Sequence, residues 1–149
     1  MIDKLKTLLA GFTAAAPEQR QHTIELAAAC LLIELCRADT NTSSDELTDI
    51  SHSLGDMFSL DVEEVAELVQ QAEEQADQAT STYEFTAVIK AFFDDQQRIK
   101  LISALWRAAF ADGILDKYEE HYIRKVSELL YVSHSDFIRA KHQAQSNEH

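Results

Sequence analysis

Proline and glycine are almost missing from this chain, with one and three copies in 149 residues. Hairpins and tight meanders depend on that punctuation, so a β-rich fold is excluded at the outset. Cysteine is nearly absent too. Cys30 and Cys36 fall in one apolar helical stretch, ~9 Å apart along its axis and on different faces, which rules out a bridge within that helix. They read as two buried free thiols in a reducing compartment. No run approaches the ~20 apolar residues of a membrane span, and no signal-like apolar region follows Met1-Ile2-Asp3-Lys4-Leu5-Lys6. The expected protein is therefore soluble, cytoplasmic and not membrane-spanning. Basic residues are outnumbered, 13 against 26 acidic, for a formal net charge of −13. Such a surface repels phosphate backbones and leaves cations and basic proteins as the natural partners.

Catalytic signatures are absent as well. The chain has no H-E-x-x-H pair, no metal-ligand Cys/His spacing, no phosphate-cradling glycine loop and no nucleophile elbow. Glu120-His121 and His134-Ser135-Asp136 put acids beside histidines, but neither comes with a nucleophile and an orienting group. The expectation is a protein that is not an enzyme.

What is present is helical periodicity. Hydrophobic residues make up 46% of the chain, and they recur at spacings of three and four. Ile2, Leu5, Leu8, Leu9 and Phe12 predict a short amphipathic helix over 2–15, better suited to packing on the domain than to a membrane surface. Pro17 opens a second helix running to about Ala38, apolar on several faces and hence central. A third carries Leu47, Ile50 and Leu54. Asp61-x-x-Glu64 predicts a capping box before a fourth, and Ser81-x-x-Glu84 opens a fifth. A sixth runs from about Gln96 to Ala111 and ends at Gly113. A seventh spans about Lys117 to Leu130, and Ser133-x-x-Asp136 starts an eighth. Phe85, Phe92, Phe93, Trp106 and Phe110 sit at core spacing. The fold class is all-α: a compact bundle of about seven to eight helices in one domain over 1–145, with 146–149 as a frayed tail.

An acidic pattern occurs twice within this framework. Ala38-Asp39, Ser43 and Glu46 are matched by Ala111-Asp112, Asp116 and Glu119, each pair 73 residues apart. The offset also pairs Leu32 with Leu105, Ile33 with Trp106, Ile50 with Ile123, Met57 with Leu130, Phe58 with Tyr131 and Val65 with Ile138. Apolar character kept across more than one helix predicts a duplication and a pseudo-two-fold bundle. Asp39 and Asp112 fall at helix C-termini, where the macrodipole disfavours negative charge. A hard cation could compensate them, held by oxygens from Asp39, Glu46, Asp112 and Glu119 with Asp116 assisting. The competing explanation needs no metal. Ser43-x-x-Glu46 and Asp116-x-x-Glu119 read as capping boxes, and Asp112-Gly113 is ordinary turn chemistry.

The stretch Leu105-Trp106-Arg107-Ala108-Ala109-Phe110-Ala111-Asp112-Gly113, then Asp116, Glu119-Glu120-His121 and Leu129-Leu130-Tyr131-Val132-Ser133-His134-Ser135-Asp136-Phe137, resembles the tellurite-resistance TerB family. Ala28-Ala29-Cys30-Leu31-Leu32-Ile33-Glu34, leading to Arg37-Ala38-Asp39, fits the same pattern in the first half. The resemblance implies an all-helical, pseudo-symmetric domain from stress and tellurite-resistance systems. It also implies an acidic surface for divalent cations, Ca²⁺ above all, at Asp39, Glu46, Asp112 and Glu119, with Asp116 as a weaker fifth. Thr40 in place of Gly113, and Ser43 in place of Asp116, make the first corner the poorer half-site. Two functions follow as expectations. One is a divalent-cation-binding module that docks a partner protein, at or near the membrane. The other is a metal-independent helical scaffold whose acids are caps and solubility charges.

Overall fold

A computed structural model describes residues 16–37, 44–78, 82–111, 113 and 115–147. Within them the chain forms seven helices and no strand: α1 (Pro17–Arg37), α2 (Ser44–Phe58), α3 (Val62–Ala76), α4 (Thr82–Phe92), α5 (Asp95–Phe110), α6 (Lys117–Leu129) and α7 (His134–Asn147). The helix expected over 2–15 lies outside the described residues.

Local chemistry accounts for most of these boundaries. α1 begins on Pro17, whose fixed φ suits a first turn, and carries Glu18 and Arg37 at the ends that the helix dipole favours. The Asp61–Glu64 capping box forms in both directions, at 2.8 and 3.0 Å. A second box, between Asp94 and Gln97, starts α5 one residue earlier than its apolar pattern suggests. Ser133 accepts from the Asp136 amide at the head of α7. Gly113, after the end of α5, takes a φ of +83° and donates to the Phe110 carbonyl, as a helix-ending glycine should. α2 and α6 end differently, with Ser59 and Tyr131 in the left-handed region. The following amides, Leu60 and Val132, reach back to the carbonyls of Gly55 and Ser127 in the same six-to-one closure.

α1 is the axis of the bundle. Its residues 27–33, 35 and 36 are all buried, and it touches α2, α3, α4, α5 and α6. The most extensive pairings are α1 with α3 and α5 with α7, and the halves also cross through α2–α5 and α1–α6. Trp106 stacks on Phe110 at 5.9 Å and meets Phe137 edge-on at 5.1 Å. Each large side chain so buried contributes roughly 1.5–3 kcal/mol of transfer free energy.

The aligned apolar positions are mostly interior, including Leu32, Leu105, Ile33, Trp106, Ile50 and Ile123. Phe58 and Tyr131 differ: Phe58 packs against the core, whereas Tyr131 is 74% exposed and lies under Lys90 Nζ at 4.1 Å. The left-handed cap falls on Tyr131 itself but one residue after Phe58, and that slip turns the tyrosine outward. Among the described residues no helix is long and apolar enough to cross a membrane.

Candidate functional site

The last turn of α1 and the first turns of α2 and α6 converge. Glu46 is the third residue of α2 and Glu119 the third of α6, and each begins an inward stripe. Glu46 is followed at helical spacing by Ile50 and Leu54, and Glu119 by Ile123 and Val126, all buried. Both carboxylates are consequently 0% exposed. The thiol of Cys36 records their convergence. Burial pushes it far above the ordinary thiol value, and the Glu46 charge, a hydrogen bond to Glu46, and the charges of Glu119 and Asp49 push the same way. A carboxylate from each half of the chain thus acts on one sulfur.

Asp116 does something else. Its Oδ1 accepts from the Tyr118 amide at 2.6 Å, capping α6 through the second helical residue. The expected Asp116–Glu119 capping box does not form, because Glu119 lies on the core-facing stripe. Asp39 and Asp112 lie outside the described residues, as does Ser43. Among the described residues no group of three or more His, Cys, Asp or Glu side chains is placed to hold a metal ion. Asp49 is absent from the expected site, and Cys36, expected as a buried thiol, was not expected beside the carboxylates. Asp49 sits one turn after Glu46, and Cys36 is three residues before Asp39, so helical spacing from the acidic corner could have found both.

A second polar centre adjoins the first. Glu34 Oε2 accepts from the Thr82 hydroxyl at 2.6 Å and from the Tyr122 hydroxyl at 2.9 Å, and Tyr122 also lies 3.0 Å from the Leu31 carbonyl. Burial, and then the Glu34 charge, push the Tyr122 phenol well above its ordinary value. The same two causes raise Cys30 from 9.0 to about 12. Glu34 is the one acid inside the apolar run of α1, and that isolation was its signal in the sequence. The His134-Ser135-Asp136 set is occupied structurally. His134 stacks on Phe137 at 6.0 Å, and Asp136 pairs with Arg139 at 3.3 Å.

No curated protein and no solved structure matches the chain. A family model does, the one described as "Tellurite resistance protein TerB", over residues 25–142. That span takes in the buried length of α1, both acidic corners, the Glu46–Glu119 convergence and the greater part of α7. With most of its length matched, the chain belongs to the TerB family.

Proposed function

We propose that this chain is a non-enzymatic, cytoplasmic module of the tellurite-resistance or stress type that binds a divalent cation at its acidic corners and docks a partner protein, at or near the membrane. The observation that carries the reading is the meeting of Glu46 and Glu119, two buried carboxylates from opposite halves, at Cys36. A divalent cation placed between carboxylates from opposite halves would tie the two corners together. The donors suit a hard ion: Ca²⁺ takes ~6–8 oxygens in flexible geometry. Glu46 and Glu119 would hold it from the core side, Asp39 and Asp112 from the corners, while one oxygen of Asp116 is engaged in its cap.

The reading includes a duplication. Its support is the constant 73-residue offset together with the matched helix pairings, α1–α3 with α5–α7 and α1–α6 with α2–α5. Glu34 and Arg107 also stand 73 apart, and each reaches across to the other half, Glu34 to Tyr122 and Arg107 to Ser53 at 3.0 Å. The cap made by Asp116, and the absence of a three-ligand group among the described residues, favour a second reading: a metal-independent scaffold.

Calorimetric titration of the metal-free protein with CaCl₂ separates the two. Saturable binding, lost in the isosteric Glu46→Gln/Glu119→Gln variant and in Asp39→Asn/Asp112→Asn, is expected. Weak heats that are the same in all three proteins would overturn the cation reading and leave the scaffold.

A further inference from the structure

Charge is distributed unevenly along this chain. Between Arg37 and Lys90 there is no lysine or arginine, while thirteen of the 26 acidic residues lie there. That stretch forms α2, α3 and most of α4. A groove of about 520 Å³ runs between α2 and α3 in the middle of it. Leu60, Val65 and Ala66 form its apolar side, Thr48, Ser51 and His52 its polar side on α2, and Val62 is 85% exposed. Val62, Val65 and Ala66 follow one another at helical spacing, so α3 offers a continuous apolar wall. The backbone passes close at Gly55: a Cβ there would sit 3.3 Å from the Leu60 carbonyl oxygen, a tight contact, and 3.5 Å from Val65 Cγ2. Asp56 lines the groove on α2, and Glu63 and Glu67, both exposed, adjoin Val62 and Ala66 on α3.

We propose that the α2–α3 groove docks a basic amphipathic helix of a partner protein, with apolar side chains in the groove and lysines or arginines over the surrounding carboxylates. The proposal rests on the partner-docking half of the function proposed above and not on the cation. Two features select this occupant. A groove with one apolar wall, Leu60, Val62, Val65 and Ala66, accepts side chains repeated at i, i+3 or i+4 and i+7. A lining that holds Asp56 and Asp61 and, among the described residues, no lysine or arginine attracts a positive partner and repels anionic lipid and nucleic acid.

The test uses the full chain and a fluorescent 16-residue peptide with leucine at helical spacing and lysine at its other positions. One-to-one binding is expected, weakened several-fold as salt rises from low to physiological strength and beyond. Ala66→Arg, which places bulk and positive charge in the trough, should weaken it at least tenfold. Val62→Ser, at an exposed site with little influence on folding, should weaken it about threefold. Glu46→Gln/Glu119→Gln should bind the peptide like the parent, so this proposal and the cation reading can fail separately. Equal affinity for a peptide with serine in place of leucine would overturn the proposal in favour of diffuse charge attraction. So would equal affinity for a peptide with glutamate in place of lysine, or indifference to both groove substitutions. Peptide binding seen only after deletion of residues 1–15, or a dimer abolished by Ala66→Arg, would give the groove to this chain's own first segment or to a second copy, and would overturn it too.

Discussion

Cys30 offers a quantitative check on how dry the centre of the bundle is. Its side chain is fully buried, with Sγ 4.0 Å from the Ala72 carbonyl oxygen, and burial followed by the Glu34 charge lifts the thiol from 9.0 to about 12. The folded-state value lies above the unfolded one. The thiol's contribution to stability is therefore whole below pH 9 and is lost progressively as the pH climbs from 9 towards 12. Linkage puts that loss at ~1.4 kcal/mol one unit above the unfolded value and ~3 kcal/mol two units above it. Cys30→Ala removes the ionisation at the expense of a small cavity, about 1 kcal/mol at neutral pH. The two stability curves must then cross, the parent being more stable at neutrality and the alanine variant more stable beyond roughly pH 10. Urea midpoints of both proteins at a series of pH values from 7 to 11, with reductant present, follow the difference directly. Tyr122 and Cys36 also lose stability on the alkaline side in both proteins, and they cancel apart from the minor share of the Tyr122 shift that Cys30 itself causes. Parallel curves, with the variant below the parent throughout, would mean that water reaches Cys30 in the folded protein and would refute the account of the core.

Two further outcomes depend on single side chains. Tyr122→Phe should cost about 1–2 kcal/mol in denaturant unfolding, since its hydroxyl serves a carboxylate that keeps only the Thr82 hydroxyl, and a Thr82→Val cycle should show the two losses to be non-additive. Arg98 donates to the carbonyls of Phe93, Leu130 and Lys90, joining the ends of α4 and α6. Arg98→Lys should therefore lower the melting temperature by several degrees, about 1–2 kcal/mol, because a single ammonium cannot span three fixed acceptors; an unchanged melting temperature would show those bonds to be idle.

Helical spacing in the sequence found each described helix, and placed both ends of α1, α5 and α6 to within about one residue, because side chains of period 3.6 must face one core. The capping boxes were legible only where the acid stands at a polar boundary. Asp61–Glu64 was read from its pattern, whereas Asp94–Gln97 escaped because the apolar stripe of α5 starts later than its cap. The burial of Glu46 and Glu119 was the harder inference. A carboxylate three residues into a helix can turn back to its cap or inward to the core, and local sequence does not choose between them. The choice is made by α1, which brings Cys36 against both helices. The outward turn of Tyr131 belongs to the same class, since a one-residue difference in where a helix unwinds moves a side chain from core to surface.

The placement of α1 bears on how the molecule comes apart. A helix in contact with five others, and buried along most of its last ten residues, has no side from which it can peel away. Withdrawing α1 takes a neighbour from α2, α3, α4, α5 and α6 at once, so opening along this axis disturbs both halves together. The amide protons of Leu31 to Leu35 should exchange with solvent only through global unfolding, at one shared rate, and a polypeptide cut between α4 and α5 should regain structure only when both pieces are present together.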